Sequence, residues 1–532
     1  MPNRPSSWVL GLVIFCGAFA TAFAWQSIYG SYRSEFGGHP DEAAHVVTGL
    51  FIRDALVESW HYAAGGFHRS PVSFGSEFAN RYYNHYPKIG LGVWPPFFYL
   101  VQSAWTLPLG ASRETLFLLM CALAAGLALL LFRVLRAEFN AGVAVVGAVT
   151  LISLPLVRNY YGMVMAETLS ALLMFGATIA LGRFLDREKR SDVLWFGVLA
   201  ALAILTKGTG LALGLAAPLA LLLTRRFALL RRPALWMAVA IVAVVAGPWT
   251  WKTRNLGKGG WLQPNPSWSF TLEALPYYVV KLGLALGAVL VLFAVVGIVV
   301  KIRDAGPRRG VWAATGAFIF SVIIFQSIAP VGLEARHLIP ALPAALMFAA
   351  AGFDFLARRL VGWRKIALAS VTVVGLGWAL LPITAKGDSG FAVLADKMLA
   401  EATAKDAALV SSDATGEGIF IADVALRERR PGHVIQRASK SLASSTWSGS
   451  GYTPLFATDD EMLHFLTAGP IRYLIVDDAM PPEHPRREHH DQIRRVVAGH
   501  PEVFALLAEA EARRGGVLMG EPVRLYKIST KN

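Results

Sequence analysis

Apolar positions along this chain fall into long unbroken runs, not the alternating or one-faced stripes of a soluble domain. Runs near 8–25, 115–132, 141–157, 166–182, 193–206, 209–223, 234–251, 276–300, 311–329, 337–357 and 366–384 each read as a membrane-crossing helix. The pattern predicts a polytopic α-helical protein with about eleven spans, some short enough to need their flanking residues to cross a ~30 Å hydrocarbon core. A further apolar stretch, 93–110, begins near Pro95-Pro96 and holds Pro108 near its end, which favours a short helix along the interface over a span that would put the N-terminus outside and the loop 29–112 inside. The first run follows Arg4 and ends AFATAFAW, like a signal peptide, but it is long for one and is read as a retained helix.

After residue 384 the polymer changes character. Short strand-like runs at Ala408–Ser411, Gly418–Ala422, Arg472–Val476 and Val523–Ile528 alternate with helical patterns near 389–404, 459–468 and 491–513. The expected organisation is a transmembrane domain over 1–384, with a long loop at 29–112, and a small soluble α/β domain over 385–532. No internal repeat stands out.

Composition agrees, with 55% hydrophobic and 16% charged residues where soluble proteins carry about 25% charged. The two cysteines, Cys16 and Cys121, lie in apolar runs, which excludes a disulfide framework or a cysteine metal site. The net charge of +14 suggests nucleic acid until it is located. Residues 385–532 hold 18 basic and 20 acidic residues, so the basic excess belongs to short loops of the helical region. Five of those loops, at 133–136, 183–190, 225–232, 301–309 and 358–365, hold 18 basic residues, and the alternating loops hold six. This is a topology signal that puts the first set in the cytoplasm, and no nucleic-acid partner is expected. The loop 29–112 and the C-terminal domain are then external, on a multi-pass protein of the cell (inner) membrane.

Candidate chemistry sits in the external segments. Gly37-Gly38-His39-Pro40-Asp41-Glu42-Ala43-Ala44-His45 opens a helix expected to run to about Trp60, and Asp41 there also suits an N-cap. Tyr82-Tyr83-Asn84-His85-Tyr86-Pro87-Lys88 and Trp94-Pro95-Pro96-Phe97-Phe98-Tyr99 follow, a pattern that also suits an aromatic interface belt. The second external turn carries Arg158, Tyr160 and Glu167, and a later one reads Glu334-Ala335-Arg336-His337-Leu338-Ile339-Pro340. A carboxylate such as Glu167 at the edge of a bilayer is costly unless it is used. Lys207 lies in Thr206-Lys207-Gly208-Thr209-Gly210 but lacks phosphate-loop spacing, and Lys281 reads as a snorkelling residue. The run from Glu483 to His490 reads as a solvated face. No dinucleotide fingerprint, HExxH or nucleophile elbow is present.

The order of these motifs resembles the GT-C superfamily of integral membrane glycosyltransferases. The similar branch holds protein O-mannosyltransferases and the lipid A aminoarabinose transferase. The resemblance implies inverting transfer of a sugar from a polyprenyl-phosphate donor to a hydroxyl on a glycolipid, glycan or protein acceptor, at the external face of the bilayer. It places Asp41 at the catalytic carboxylate, supported by Glu42, and makes His85, Lys88, Arg158, Tyr160, Glu167, Arg336 and His337 substrate-binding candidates. A divalent cation such as Mg or Mn held by Asp41 and Glu167 would be a cofactor in that scheme. Trp94 stands where relatives often carry a basic residue or histidine, and Glu167 where they commonly carry Asp. A transporter or flippase of lipid-linked precursors is the alternative; it would favour charges near mid-bilayer and broken helices in corresponding halves.

Overall fold

The computed structural model describes residues 7–66, 70–258, 261–263, 265–381, 384–445, 451–480, 487–514 and 517–529. The expectations resting on Arg4 and on 483–486 lie outside the described residues. Within them, each of the eleven apolar runs is helical. The chain forms two compact units. The first comprises Met1–Ser27, Gly92–Phe98 and Leu118–Ile383; the second comprises Ile28–Leu91, Tyr99–Phe117 and Thr384–Asn532.

Five helices are long and apolar enough to cross a membrane: Trp8–Tyr29, Arg113–Arg136, Glu167–Arg187, Gly306–Ile328 and Ala335–Arg359. Counting each of three bent pairs as one span gives up to eight among the described residues. The remaining runs form Arg190–Thr206, Gly208–Thr224 and Trp363–Leu380, which fall short of that mark, so the count of eleven rests on the sequence pattern.

The bends have local causes. Ala141–Ser153 meets Pro155–Tyr161 at 62°, and Pro233–Val245 meets Gly247–Gly257 at 56°, with proline in the first turn of the second helix each time. The stretch 276–300, expected as one span, is broken by 109° between Trp268–Leu286 and Ala288–Arg303. Gly287, at the break, adopts φ 78° and ψ 157°, a conformation open essentially to glycine. Small residues also set the packing in this unit. A Cβ on Gly297 would lie 1.9 Å from the carbonyl oxygen of Phe348, and one on Gly352 would lie 1.9 Å from that of Phe293. Helices Ala288–Arg303 and Leu342–Arg359 therefore touch backbone to backbone, the close approach that small residues permit between helices in lipid.

The second unit is built on a five-stranded mixed sheet. Its spatial order is Val434–Arg437, Ala407–Ser411, Ile471–Asp477, Val523–Ile528, Phe504–Ala510; the first three strands are parallel and the last two join antiparallel. Leu409, Leu474, Val476, Phe504 and Ile528 from the sheet close a core with Met462, Leu466 and Ile493 from two helices. Two sequence expectations need correction here. Gly418–Ala422 is not a strand but the buried centre of helix Ala414–Arg427, whose N-cap Asp413 accepts a hydrogen bond from Gly416 N–H. The helix expected over 491–513 ends at Gly499; after Pro501 the chain pairs as the strand Phe504–Ala510. The strands expected near 408, 472 and 523 and the helices near 389 and 459 are present.

Segment 28–117 adds helices Glu42–Ala64 and Pro71–His85, followed by Phe97–Leu109. The last has 13 residues, about 20 Å of helix, too short to cross a bilayer alone. Helix Glu42–Ala64 is buried on all sides over its first ten residues, Glu42 to Phe51. It lies against residues more than 300 positions later. Asp54 pairs with Arg430 at 2.7 Å, Tyr86 donates to Glu428 at 2.6 Å, and Arg113 meets Asp423 at 3.0 Å.

Candidate functional site

In the second unit, the turn Gly38–Asp41 delivers the chain into helix Glu42–Ala64. Asp41 stands at the helix boundary with φ −84° and ψ −18°, and its side chain makes no capping hydrogen bond. A capping residue normally has extended dihedrals and accepts from the first turn, so capping is not the work of this carboxylate. Its Oδ2 lies 3.6 Å from His39 Nδ1, its own N–H donates to that nitrogen at 3.1 Å, and the side chain is 23% exposed. Glu42, by contrast, is fully buried. One oxygen accepts from Gly38 N–H at 2.9 Å and the other meets Lys386 Nζ at 2.5 Å. The acidic pair thus divides into an accessible carboxylate and a clamped one.

Lys88 is partly buried and donates to the carbonyl of Ala414 at 2.7 Å. Burial lowers its amine to a pKa of about 8, helped by Arg437 and opposed by Glu417, Asp41 and Asp413. A Cβ on Gly418 would fall 2.7 Å from Lys88 Cε, so glycine makes room for the lysine stem. His85 Nδ1 is 2.8 Å from the carbonyl oxygen of Gly432. Both candidates therefore tie their segment to the C-terminal residues. His45, in the same sequence motif as Asp41, pairs through Nδ1 with Tyr99 Oη at 2.9 Å.

The first unit holds a separate charged cluster. Glu167, at the start of its helix and 2% exposed, meets Lys207 Nζ at 2.5 Å and lies 3.5 Å from Arg336. Arg336 also pairs with Glu334 at 2.8 Å. His337, next along, is buried with its Nδ1 lacking a hydrogen-bond partner among the described residues, and its ring packs edge-on to Tyr278. The structure thus brings Glu167, Arg336 and His337 together and adds Lys207, whose signal was a lysine between two apolar runs. Arg158 is not brought there by its contacts: it donates to the carbonyl of Leu380 at 2.7 Å and its guanidinium lies 4.5 Å from the Trp25 ring. Tyr160 sits two residues on in the same short helix, partly exposed.

With two cations on its carboxylate, Glu167 fits an ion pair and does not fit a metal ligand. Among the described residues no group of three or more His, Cys, Asp or Glu is arranged to hold a metal ion. The Lys207–Arg336 pair instead offers a point charge beside a guanidinium fork, the donor set suited to phosphate oxygens.

Comparison with known proteins identifies the fold. A family model described as dolichyl-phosphate-mannose-protein mannosyltransferase matches residues 94–251. No curated protein matches the chain in sequence. The structure of ArnT from Cupriavidus metallidurans bound to undecaprenyl phosphate is similar with a TM-score of 0.61 at 13% identity, covering 98% of each chain. Its apo form gives 0.60 at 15% identity, again over 98% of each chain. The apo oligosaccharyltransferase of Archaeoglobus fulgidus gives 0.54 at 12% identity, covering 88% of this chain and 70% of that one. The fold of this chain is that of the GT-C glycosyltransferases, with many apolar helices and a small strand-containing C-terminal part, as the order of motifs had indicated.

Proposed function

We propose that the protein is an integral membrane glycosyltransferase that moves a sugar from a polyprenyl-phosphate donor to a hydroxyl acceptor at the external face of the membrane, with inversion. The observation that carries this reading is the likeness to ArnT, whose structure holds undecaprenyl phosphate, over 98% of both chains. Asp41, partly exposed and making no capping bond, supports it.

In this reading the Asp41 carboxylate accepts the proton of the acceptor hydroxyl as its oxygen attacks the anomeric carbon. The anomeric carbon–oxygen bond to phosphate breaks, and its electron pair leaves on the polyprenyl phosphate. One displacement on one carbon inverts its configuration. A single base suffices because phosphate is already a good leaving group. Cations at the leaving phosphate make charge-assisted bonds that strengthen as negative charge gathers on the leaving oxygen, and within the unit that bears Asp41 the candidate is Lys88. Lys88 is assigned to keep positive charge beside Asp41, and His85, Arg158, Tyr160 and His337 to shape the substrate-binding segments. No step is routed through a metal.

The test is transfer in vitro, with purified protein and a panel of polyprenyl-phosphate sugars, comparing wild type with Asp41→Asn. The variant keeps shape and loses the base, so the rate should fall about 10²–10⁴-fold with thermal stability unchanged. Near wild-type transfer by a folded Asp41→Asn protein would remove Asp41 from the chemistry.

A further inference from the structure

The Glu42–Lys386 ion pair joins residues 344 positions apart, and both side chains are fully buried. Lys386 is held on every side. Its backbone N–H donates to the carbonyl of Tyr29 at 2.7 Å, and its own carbonyl accepts from Ser34 Oγ at 3.2 Å. Its ammonium lies 4.8 Å from the Phe117 ring and 5.6 Å from that of Phe36. Burial and Arg113 lower the lysine's pKa, while Glu42 and Asp423 raise it. The other titratable groups near this pair are Tyr29 and Glu35, whose carboxylate accepts from the N–H of Ser389, three residues beyond Lys386.

Glu42 spends its second oxygen on Gly38 N–H, the amide that begins the turn leading to Asp41. Glu42 therefore ties that turn to Lys386, and removing the lysine would leave a buried carboxylate without its cation. We propose that Lys386 is a positioning residue for Asp41: it anchors Glu42, Glu42 holds the Gly38–Asp41 turn, and the C-terminal segment thereby sets the reactive carboxylate. Glu35 reinforces the arrangement from the opposite direction, accepting from Ser389 N–H at 2.7 Å and Ala392 N–H at 2.6 Å. The inference rests on the reading of Asp41 as the base, but the order of the turn is measurable without any sugar.

The experiment is hydrogen exchange on the full-length protein in detergent, following the peptide that spans 36–45, with the strand Ile471–Asp477 as internal reference. Lys386→Met should speed exchange in 36–45 at least tenfold and leave the reference strand unchanged. Glu42→Gln with Lys386→Met should restore protection, since the amide oxygen still accepts from Gly38 and no buried charge is left over. If Lys386→Met alone does not fold, recovery of folding in the double variant supports the same mechanism. Unchanged exchange in Lys386→Met, or a double variant no better ordered than the single one, overturns the proposal. A disordered turn in Lys386→Met combined with full transfer by Asp41→Asn would keep the positioning role and discard the chemistry.

Discussion

At the scale of single residues, Glu35 makes the second unit sensitive to pH. Burial first, and then the nearby charge of Asp423, raise its carboxyl from 4.5 to about 8, despite two backbone N–H donors that pull the other way. The folded chain keeps a proton that the unfolded chain releases above about 4.5, so this group's contribution is fully present in acid. It is lost progressively as pH rises from there to about 8. Melting curves from pH 5 to 8.5 should show the wild type losing stability relative to Glu35→Gln as pH increases; parallel curves would contradict the shift. The same scale shows what a linear reading can reach. Asp41 and Glu42 were legible because a carboxylate pair after Gly-Gly-His-Pro is conspicuous, and Glu167, Arg336 and His337 because charge at the edge of an apolar run is expensive. Their different surroundings were not legible, since Glu42 is set apart from Asp41 by its pairing with Lys386, and Glu167 is paired with Lys207. Neither lysine stands near its partner in sequence.

At the scale of elements, the helices followed from hydrophobicity and their breaks from backbone chemistry. Pro155 and Pro248 mark two bends on sight, whereas a glycine such as Gly287 announces nothing until its dihedrals are known. The contact between Ala288–Arg303 and Leu342–Arg359 is equally silent in the sequence, yet it is narrow enough to test. Gly352→Ala would drive a methyl into the Phe293 carbonyl and should cost about 1–3 kcal/mol, as overpacking usually does. Gly316→Ala, whose new methyl would meet only the tip of Phe348 at 3.6 Å, should be neutral or slightly stabilising through helix propensity. Thermal unfolding of both variants in detergent decides this, and equal melting temperatures would show that the helices can part at no cost. In the second unit the short run Gly-Ile-Phe-Ile-Ala fits a buried strand or a buried helix equally by periodicity, and only the cap at Asp413 distinguishes them. Phe504–Ala510 carries alanine, leucine and glutamate, good helix formers, but its pairing with Val523–Ile528 prevails over that propensity.

At the scale of the whole molecule, the charge asymmetry of the loops makes a prediction about sidedness. Reporter fusions after Leu360 should read as cytoplasmic and fusions after Asp388 as external, since basic residues favour the cytoplasmic loops. A cytoplasmic reading after Asp388 would reverse the assigned face of Asp41. Sequence patterning found the change of polymer near residue 384. It had no means of finding that segment 28–91 belongs to the same compact unit as Thr384–Asn532, because the bonds that join them pair residues hundreds of positions apart. That discontinuity has a consequence for biosynthesis. Glu42, beside Asp41, leaves the ribosome 344 residues before Lys386, and Glu428 and Arg430 come later still. At about 5–20 residues per second, the wait is on the order of 15–60 s. Through that interval Glu42, Asp54 and Arg113 have none of the C-terminal partners described above, and helix Glu42–Ala64 has nothing to cover the face that Ala414–Arg427 later occupies. The nascent chain completes its acidic turn among the last of its parts, and a chain stopped short of residue 384 would retain the motif without the means to hold it.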